Sequence, residues 1–246
     1  MLITNSVNNN ILRMYINNII IFLCCSAVVI HHTSARSVMT SVLVQHLMDS
    51  DSVHVQPNAD QQGQPVVVKI GLSVTGIQHE RPESNSVKVH GFLKLEWKNS
   101  RLAWEPLEYN NITVARVPSD HVWLPDITLF NNFDARSRVF SEEKKLVLVM
   151  SDGSVIWVPP VTFPISCNST ETRADGGELN CFIKLGSWTY DETLIDVQAD
   201  SDKIDDLYLG SSYRITDSKV VRNSAVYPCC KEAYPSIDIT FTAKRV

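Results

Sequence analysis

Two adjacent cysteines, Cys229 and Cys230, stand out in "AVYPCCKEAY" (225–234), with Tyr227 just before them and Tyr234 just after. Consecutive α-carbons lie ~3.8 Å apart, below the usual ~4.4–6.8 Å across a disulfide. A bond between these thiols closes a strained eight-membered ring and stiffens the tip of a loop; a metal pair or two unrelated thiols are the alternatives. Trp188, in "IKLGSWTY" (183–190), adds an indole to the two phenols. Such rings fill cores, but π-faces also bind cations that cannot be hydrogen-bonded effectively, each contact contributing ~0.5–2 kcal/mol.

The compartment decides what the thiols do. The first 35 residues contain no acidic side chain and a single basic one, Arg13, and an apolar run over 19–30 ends near Thr33-Ser34-Ala35. That pattern reads as a secretory signal peptide over 1–35, too short for a comfortable membrane helix of ~20 apolar residues. Its removal takes Cys24 and Cys25 and leaves Cys167, Cys181, Cys229 and Cys230. An even count in an oxidising compartment favours disulfides. Cys167 and Cys181 enclose a hairpin-sized loop, 168–180, whose closure is worth ~3 kcal/mol on the chain-entropy model, which leaves Cys229 and Cys230 to each other. The sequons Asn111-Ile112-Thr113 and Asn168-Ser169-Thr170 agree with export and mark Asn111 and Asn168 as glycosylation candidates.

Residues 36–246 are long enough to bury a substantial core as one domain. Asp and Glu number 27 against 22 Lys and Arg, and no basic block or stripe is present, which argues against a nucleic-acid partner. No apolar stretch of ~20 residues follows residue 35. Enzymatic chemistry finds little footing: there is no Gly-x-Ser-x-Gly elbow, phosphate-binding glycine loop or His-Glu-x-x-His zinc helix. His46, His54, His79, His90 and His121 are scattered singly, and the carboxylates of "DSDKIDDLY" (200–208) lack EF-hand spacing and read as a solvated loop. No metal and no cofactor is expected.

The elements that must position the aromatic and thiol groups are mostly strands. A short helix is expected over about 37–48, with Val38, Val42, Leu47 and Met48 as its apolar face, then a polar linker over 49–65. Period-two alternation follows over 66–75 and 236–243, and β-like runs fall at 139–150, 154–158, 161–167, 181–188, 194–198 and 212–221. Turn signals such as Ser151-Asp152-Gly153 separate them, which points to an all-β antiparallel sandwich or barrel. The run 87–98 turns Val87, Val89, Gly91, Leu93, Leu95 and Trp97 to one side, leaving Phe92 among Lys88, His90, Lys94, Glu96 and Lys98. A lone outward Phe can be unremarkable, but it can also face another subunit or a ligand.

The ordered set "WLPDITLFNN" (123–132), "SDGSVIWVPP" (151–160), the Cys167–Cys181 loop, "IKLGSWTY" and "YPCCKEAY" resembles the acetylcholine-binding proteins and the extracellular domain of nicotinic Cys-loop receptors, across nearly all of residues 36–246. The resemblance implies a ten-stranded antiparallel β-sandwich with a short N-terminal helix, assembled as a homopentamer that binds small cations such as acetylcholine or nicotine between neighbours. Carried over by motif, the principal face is Phe130, Trp188, Tyr227, Cys229, Cys230 and Tyr234, with the paired cysteines as a vicinal disulfide capping the ligand. The complementary face is Phe92, with Leu148, Ile156 and Val158 beside it.

Three positions depart from the family's usual pattern. Phe92 replaces a tryptophan and Phe130 a tyrosine, so one π-face is weaker and one hydroxyl is lost. The family's Lys-Tyr-Asp group corresponds to Lys184, Tyr227 and Ser236, without the carboxylate. Two contexts fit the resemblance: a secreted soluble binding protein, or the extracellular part of a pentameric ligand-gated channel. The loop "NSTETRADGGELN" (168–180) is almost wholly polar, where channel subunits resemble one another in an apolar stretch that packs on the membrane domain. Burying it there carries a heavy desolvation cost, so the sequence alone favours the soluble reading.

Overall fold

A computed structural model describes residues 36–59, 64–79, 85–134, 139–140, 145–169, 177–207 and 211–246. The leader 1–35 and the middle of the loop between Cys167 and Cys181 lie outside the described residues. Helix α1 covers 36–50, and twelve strands follow: β1 (Val66–His79), β2 (Ser86–Lys98), β3 (Val114–Pro118), β4 (Ile127–Leu129), β5 (Leu146–Met150), β6 (Ser154–Trp157), β7 (Pro160–Ser169), β8 (Glu178–Ser187), β9 (Ile195–Ala199), β10 (Asp205–Asp206), β11 (Tyr213–Val226) and β12 (Ala233–Arg245). β4 and β10 are short additions to ten longer strands. The architecture is the expected β-sandwich with one N-terminal helix.

One sheet runs β1-β2-β6-β5-β3 and the other β11-β12-β8-β4. β7 belongs to both. Its residues from Pro160 to Ser166 pair with β2, and from Cys167 to Ser169 it pairs with β8. Cys167 therefore stands where the chain changes sheets, directly opposite Cys181, and the two are joined at a Cα–Cα distance of 4.4 Å. That spacing is close to the ~4.5 Å of a non-hydrogen-bonded antiparallel pair, so ladder geometry itself brings the thiols together. Not every pairing is antiparallel: β9 and β10 both add to β1 in parallel.

Alternation builds the core. Val66, Val68, Ile70, Leu72 and Val74 of β1, Val87, Val89, Leu93, Leu95 and Trp97 of β2, and Phe163 and Ile165 of β7 are all buried in one core with Ile183, Leu185, Ile237 and Ile239 of the other sheet. The helix differs from expectation by about one position. Leu43 and Leu47 are fully buried and Met48 is half-buried, whereas Val38 and Val42 are exposed. The i, i+4 stripe that meets the sandwich starts at Leu43, about 100° around the helix from Val42 and about 140° from Val38. Of the run expected at 139–150, β5 covers Leu146–Met150, Phe140 forms an isolated bridge to Val161, and 141–144 lies outside the described residues. The acidic segment 200–208 holds the short strand β10, so it is not wholly a solvated loop.

Phe92 is held outward by the β2 alternation and by a tight approach beneath it. The β1–β2 register shifts between Val74 and Gly76, opposite Gly91 and His90. A Cβ on Gly91 would lie 2.3 Å from the Ser73 carbonyl oxygen. Backbone cannot move aside cheaply there, so Gly91→Ala is expected to cost roughly 1–3 kcal/mol through overpacking. Urea unfolding measures it, and a loss under about 0.5 kcal/mol would show that the bulge yields without strain.

Candidate functional site

The principal-face residues lie at one end of the β4-β8-β12-β11 sheet. Phe130 follows β4, its amide donating to the Lys184 carbonyl at 2.9 Å, and its ring lies over Gly186. A Cβ at Gly186 would come within 3.0 Å of the Phe130 ring and 2.8 Å of the Pro235 carbonyl, so the absent side chain admits both. Trp188 follows β8 and meets Phe130 edge-on, with centroids 6.2 Å apart. It remains 68% exposed, unusual for an indole with so much apolar surface to bury.

A carboxylate that the sequence reading did not single out, Asp126, fixes the tryptophan's segment. Its Oδ1 accepts from Ser187 Oγ at 2.5 Å, and its Oδ2 accepts from the Thr189 amide at 2.8 Å and Thr189 Oγ1 at 2.6 Å. Ser187 Oγ in turn accepts from the Tyr190 amide at 2.9 Å. Both neighbours of Trp188 are thus tied to one side chain. Asp126 sits inside "WLPDITLFNN", but its partners are 61 and 63 residues away, a distance at which no periodic signal survives.

β11 and β12 form a long hairpin that closes at the pair Val226↔Ala233. From Val221 to Ser224 every β11 residue is exposed, and the arm is held by polar contacts, Arg222 to Asp196 at 2.9 Å and Ser224 to Glu192 at 2.8 Å. Its tip bends through a turn in which the Cys230 amide donates to the Tyr227 carbonyl at 3.0 Å, and it carries the Cys229–Cys230 disulfide. The Tyr227 and Tyr234 rings meet edge-on at 5.9 Å, and the Tyr234 hydroxyl lies 3.9 Å from Cys230 Sγ. The β12–β8 ladder ends at Ser236↔Gly186, two residues from both Tyr234 and Trp188. The structure therefore gathers Phe130, Trp188, Tyr227, Tyr234, Cys229 and Cys230 at one end of one sheet.

The second group lies on the outer face of the other sheet. Glu96, Ile156, Leu148 and Arg116 form one row across β2, β6, β5 and β3. Val158 and Phe92 lie beside that row, 45% and 39% exposed. His90, two residues from Phe92 on the same face, bonds through Nδ1 to Thr162 Oγ1 at 3.1 Å. Burial, helped by the Lys88 charge, holds its pKa below the ordinary value. Among the described residues no ring contact joins Phe92 to the four clustered rings, so one chain does not close a cage around it. Of the sequons, Asn111 lies on an exposed turn at φ 57° and Asn168 on the exposed end of β7.

This chain matches the neurotransmitter-gated ion-channel ligand binding domain over residues 40–246. It belongs to that family. The human neuronal acetylcholine receptor subunit alpha-2 is 34% identical over 183 residues, covering 74% of this chain and 34% of the relative. The rat subunit alpha-6 is 35% identical over 184 residues, covering 74% and 37%. The human subunit alpha-4 is 33% identical over 183 residues, covering 74% and 29%. The chain thus spans about a third of the length of the curated relatives it matches.

Against this ligand-binding-domain family, the missing carboxylate at Ser236 has a neighbour in the fold. Asp238 lies directly opposite Lys184 in the β12–β8 ladder. It accepts from Ser236 Oγ at 3.1 Å and from Asn223 Nδ2 at 2.8 Å. A carboxylate thus stands two residues further along the strand, on the same face.

Proposed function

We propose that this domain binds small cations of the acetylcholine class between neighbouring copies of the chain, as the extracellular ligand-binding domain of a pentameric ligand-gated channel subunit. The observation that carries this reading is Trp188. Its chain neighbours are both held by Asp126, its indole meets Phe130, it lies at the same end of the sheet as the Tyr227–Cys229–Cys230–Tyr234 tip, and it is still 68% exposed. An uncovered π-face near this tip suits a quaternary or protonated ammonium, which π-faces attract and hydrogen-bond acceptors serve poorly. Phe92, Leu148, Ile156 and Val158 supply the opposite wall from the next copy in a pentamer of identical chains.

The receptor relatives favour the channel context. The polar segment 168–180 favours the other, a secreted soluble binding protein of the same family, and reading the transcript past Val246 separates the two: an in-frame apolar helix identifies the channel. Cation binding itself is tested by calorimetric titration with acetylcholine, alongside light scattering. Five copies per particle and saturable binding are expected. A stable monomer at micromolar concentration, or no heat of binding, would overturn the interface site.

A further inference from the structure

The outer wall that holds Phe92 also carries a positive charge. Lys94 shares its face two residues along β2, next to the Leu95–Trp157 pair where the β2–β6 ladder begins. An ammonium there is poorly placed for a site that takes cations, because two like charges several ångströms apart repel strongly where water is excluded. The fold deals with this charge from the far side of β1. Gly71 is paired directly with Lys94, and β9 runs parallel to β1 on its other edge, where the Asp200 amide donates to the Ile70 carbonyl at 2.9 Å. Asp200, one residue past the end of β9, Gly71 of β1 and Lys94 of β2 therefore form one row.

Gly71 makes the row passable. A Cβ there would lie 3.2 Å from Asp200 Oδ2 and 3.4 Å from its Cβ. With only hydrogen at that position, Asp200 lies over the strand and takes Lys94 Nζ with both oxygens, at 3.2 and 3.1 Å. Glu96 is a second partner at 3.1 Å, but it lies on β2 itself, in the Ile156 row. Asp200 thus draws the ammonium towards β1, and Glu96 alone would draw it towards the wall. The Asp200 hydrogen bond, with Glu96 and against partial burial, holds the Lys94 pKa above its ordinary value, so the charge is present at all physiological pH and has to be managed by position.

We propose that Asp200, reaching over Gly71, turns the Lys94 ammonium away from the Phe92 wall and neutralises it, and so sets the site's preference for cationic over zwitterionic ligands. Asp200 is a positioning residue here, acting on the ligand only through Lys94. The inference rests on the interface site proposed above and assigns a role to an acidic segment that periodicity alone left as a loop.

The test compares choline with trimethylglycine, which carry the same quaternary ammonium and differ in a carboxylate. Both are titrated by calorimetry into the assembled parent protein, Asp200→Asn, and Asp200→Asn combined with Lys94→Gln. The parent is expected to prefer choline. Asp200→Asn should weaken choline at least fivefold while leaving trimethylglycine unchanged or tighter, and adding Lys94→Gln should restore the parental choline affinity. Equal weakening of both ligands, no weakening of either, or failure of Lys94→Gln to rescue would each overturn the role given to Asp200. Absence of choline binding by the parent is a different result, which removes the interface site itself.

Discussion

Trp188→Ala is expected to weaken acetylcholine binding by about 2 kcal/mol or more, well beyond tenfold, with almost no change in the stability of the fold. The two halves of that expectation come from one measurement. At 68% exposure, the indole contributes little to the core, and its one ring partner among the described residues is Phe130 at 6.2 Å. Its loss should leave the unfolding midpoint nearly unchanged, so a fall in affinity reports the π-face and not collapse of the site. Phe92→Trp is the counterpart. It restores the stronger cation-π partner on the opposite wall and should tighten binding modestly if the ligand touches that ring. Unaltered binding by Trp188→Ala would mean that the cation sits elsewhere.

Asp126 extends the same logic from ring to support. The hydrogen bonds through Ser187 and Thr189 fix the backbone on both sides of Trp188, so the point from which the indole projects is set before any ligand arrives. Preorganisation of this kind lowers the ordering cost of binding.

What could be read from the sequence follows the range of the forces involved. β1, β2 and β12 were legible because alternation is local and one face of each is buried. β3 and β4 were not: β4 has three residues and β3 has five, too few for a period to stand out. The parallel attachment of β9 and β10 to β1 is set by side-chain meetings across long sequence separations, such as Ser73 Oγ with Asp205 Oδ2 at 3.2 Å, which no local pattern announces. The helix was legible as a helix, but its buried stripe depends on which residues face the sandwich. The aromatic and cysteine residues of the site were legible because their types are unusual and their order resembles a known family. Asp126, Asp200 and Asp51 were not, because a lone carboxylate looks the same whether it is solvated or organises a loop.

Asp51 shows how much such a residue can hold. It falls in what reads as a polar linker after the helix, yet its side chain is completely buried. Its Oδ1 accepts from Arg101 Nε at 2.9 Å and Nη2 at 2.7 Å, and its Oδ2 accepts from the Trp123 amide at 2.9 Å. Arg101 also donates to the carbonyls of Val55, at 2.7 Å, Gln56, at 3.0 Å, and Pro57, at 3.3 Å. One ion pair therefore joins the segment after α1, the turn after β2 and the start of the stretch that carries Asp126 and Phe130. Asp51→Ala leaves a guanidinium that is only 24% exposed without its countercharge and a buried amide without its acceptor. Breaking a buried pair from one side typically costs ~3–5 kcal/mol, a large part of the ~5–15 kcal/mol that holds a domain together. Asp51→Asn, which keeps an acceptor but not the charge, should fall between the parent and Asp51→Ala. Urea unfolding of the three proteins orders them. If Asp51→Ala loses less than about 1 kcal/mol, the pair is replaceable by water, and the Trp123 segment must be held by its packing against Trp97 and Tyr190, whose rings it meets at 6.2 and 6.3 Å.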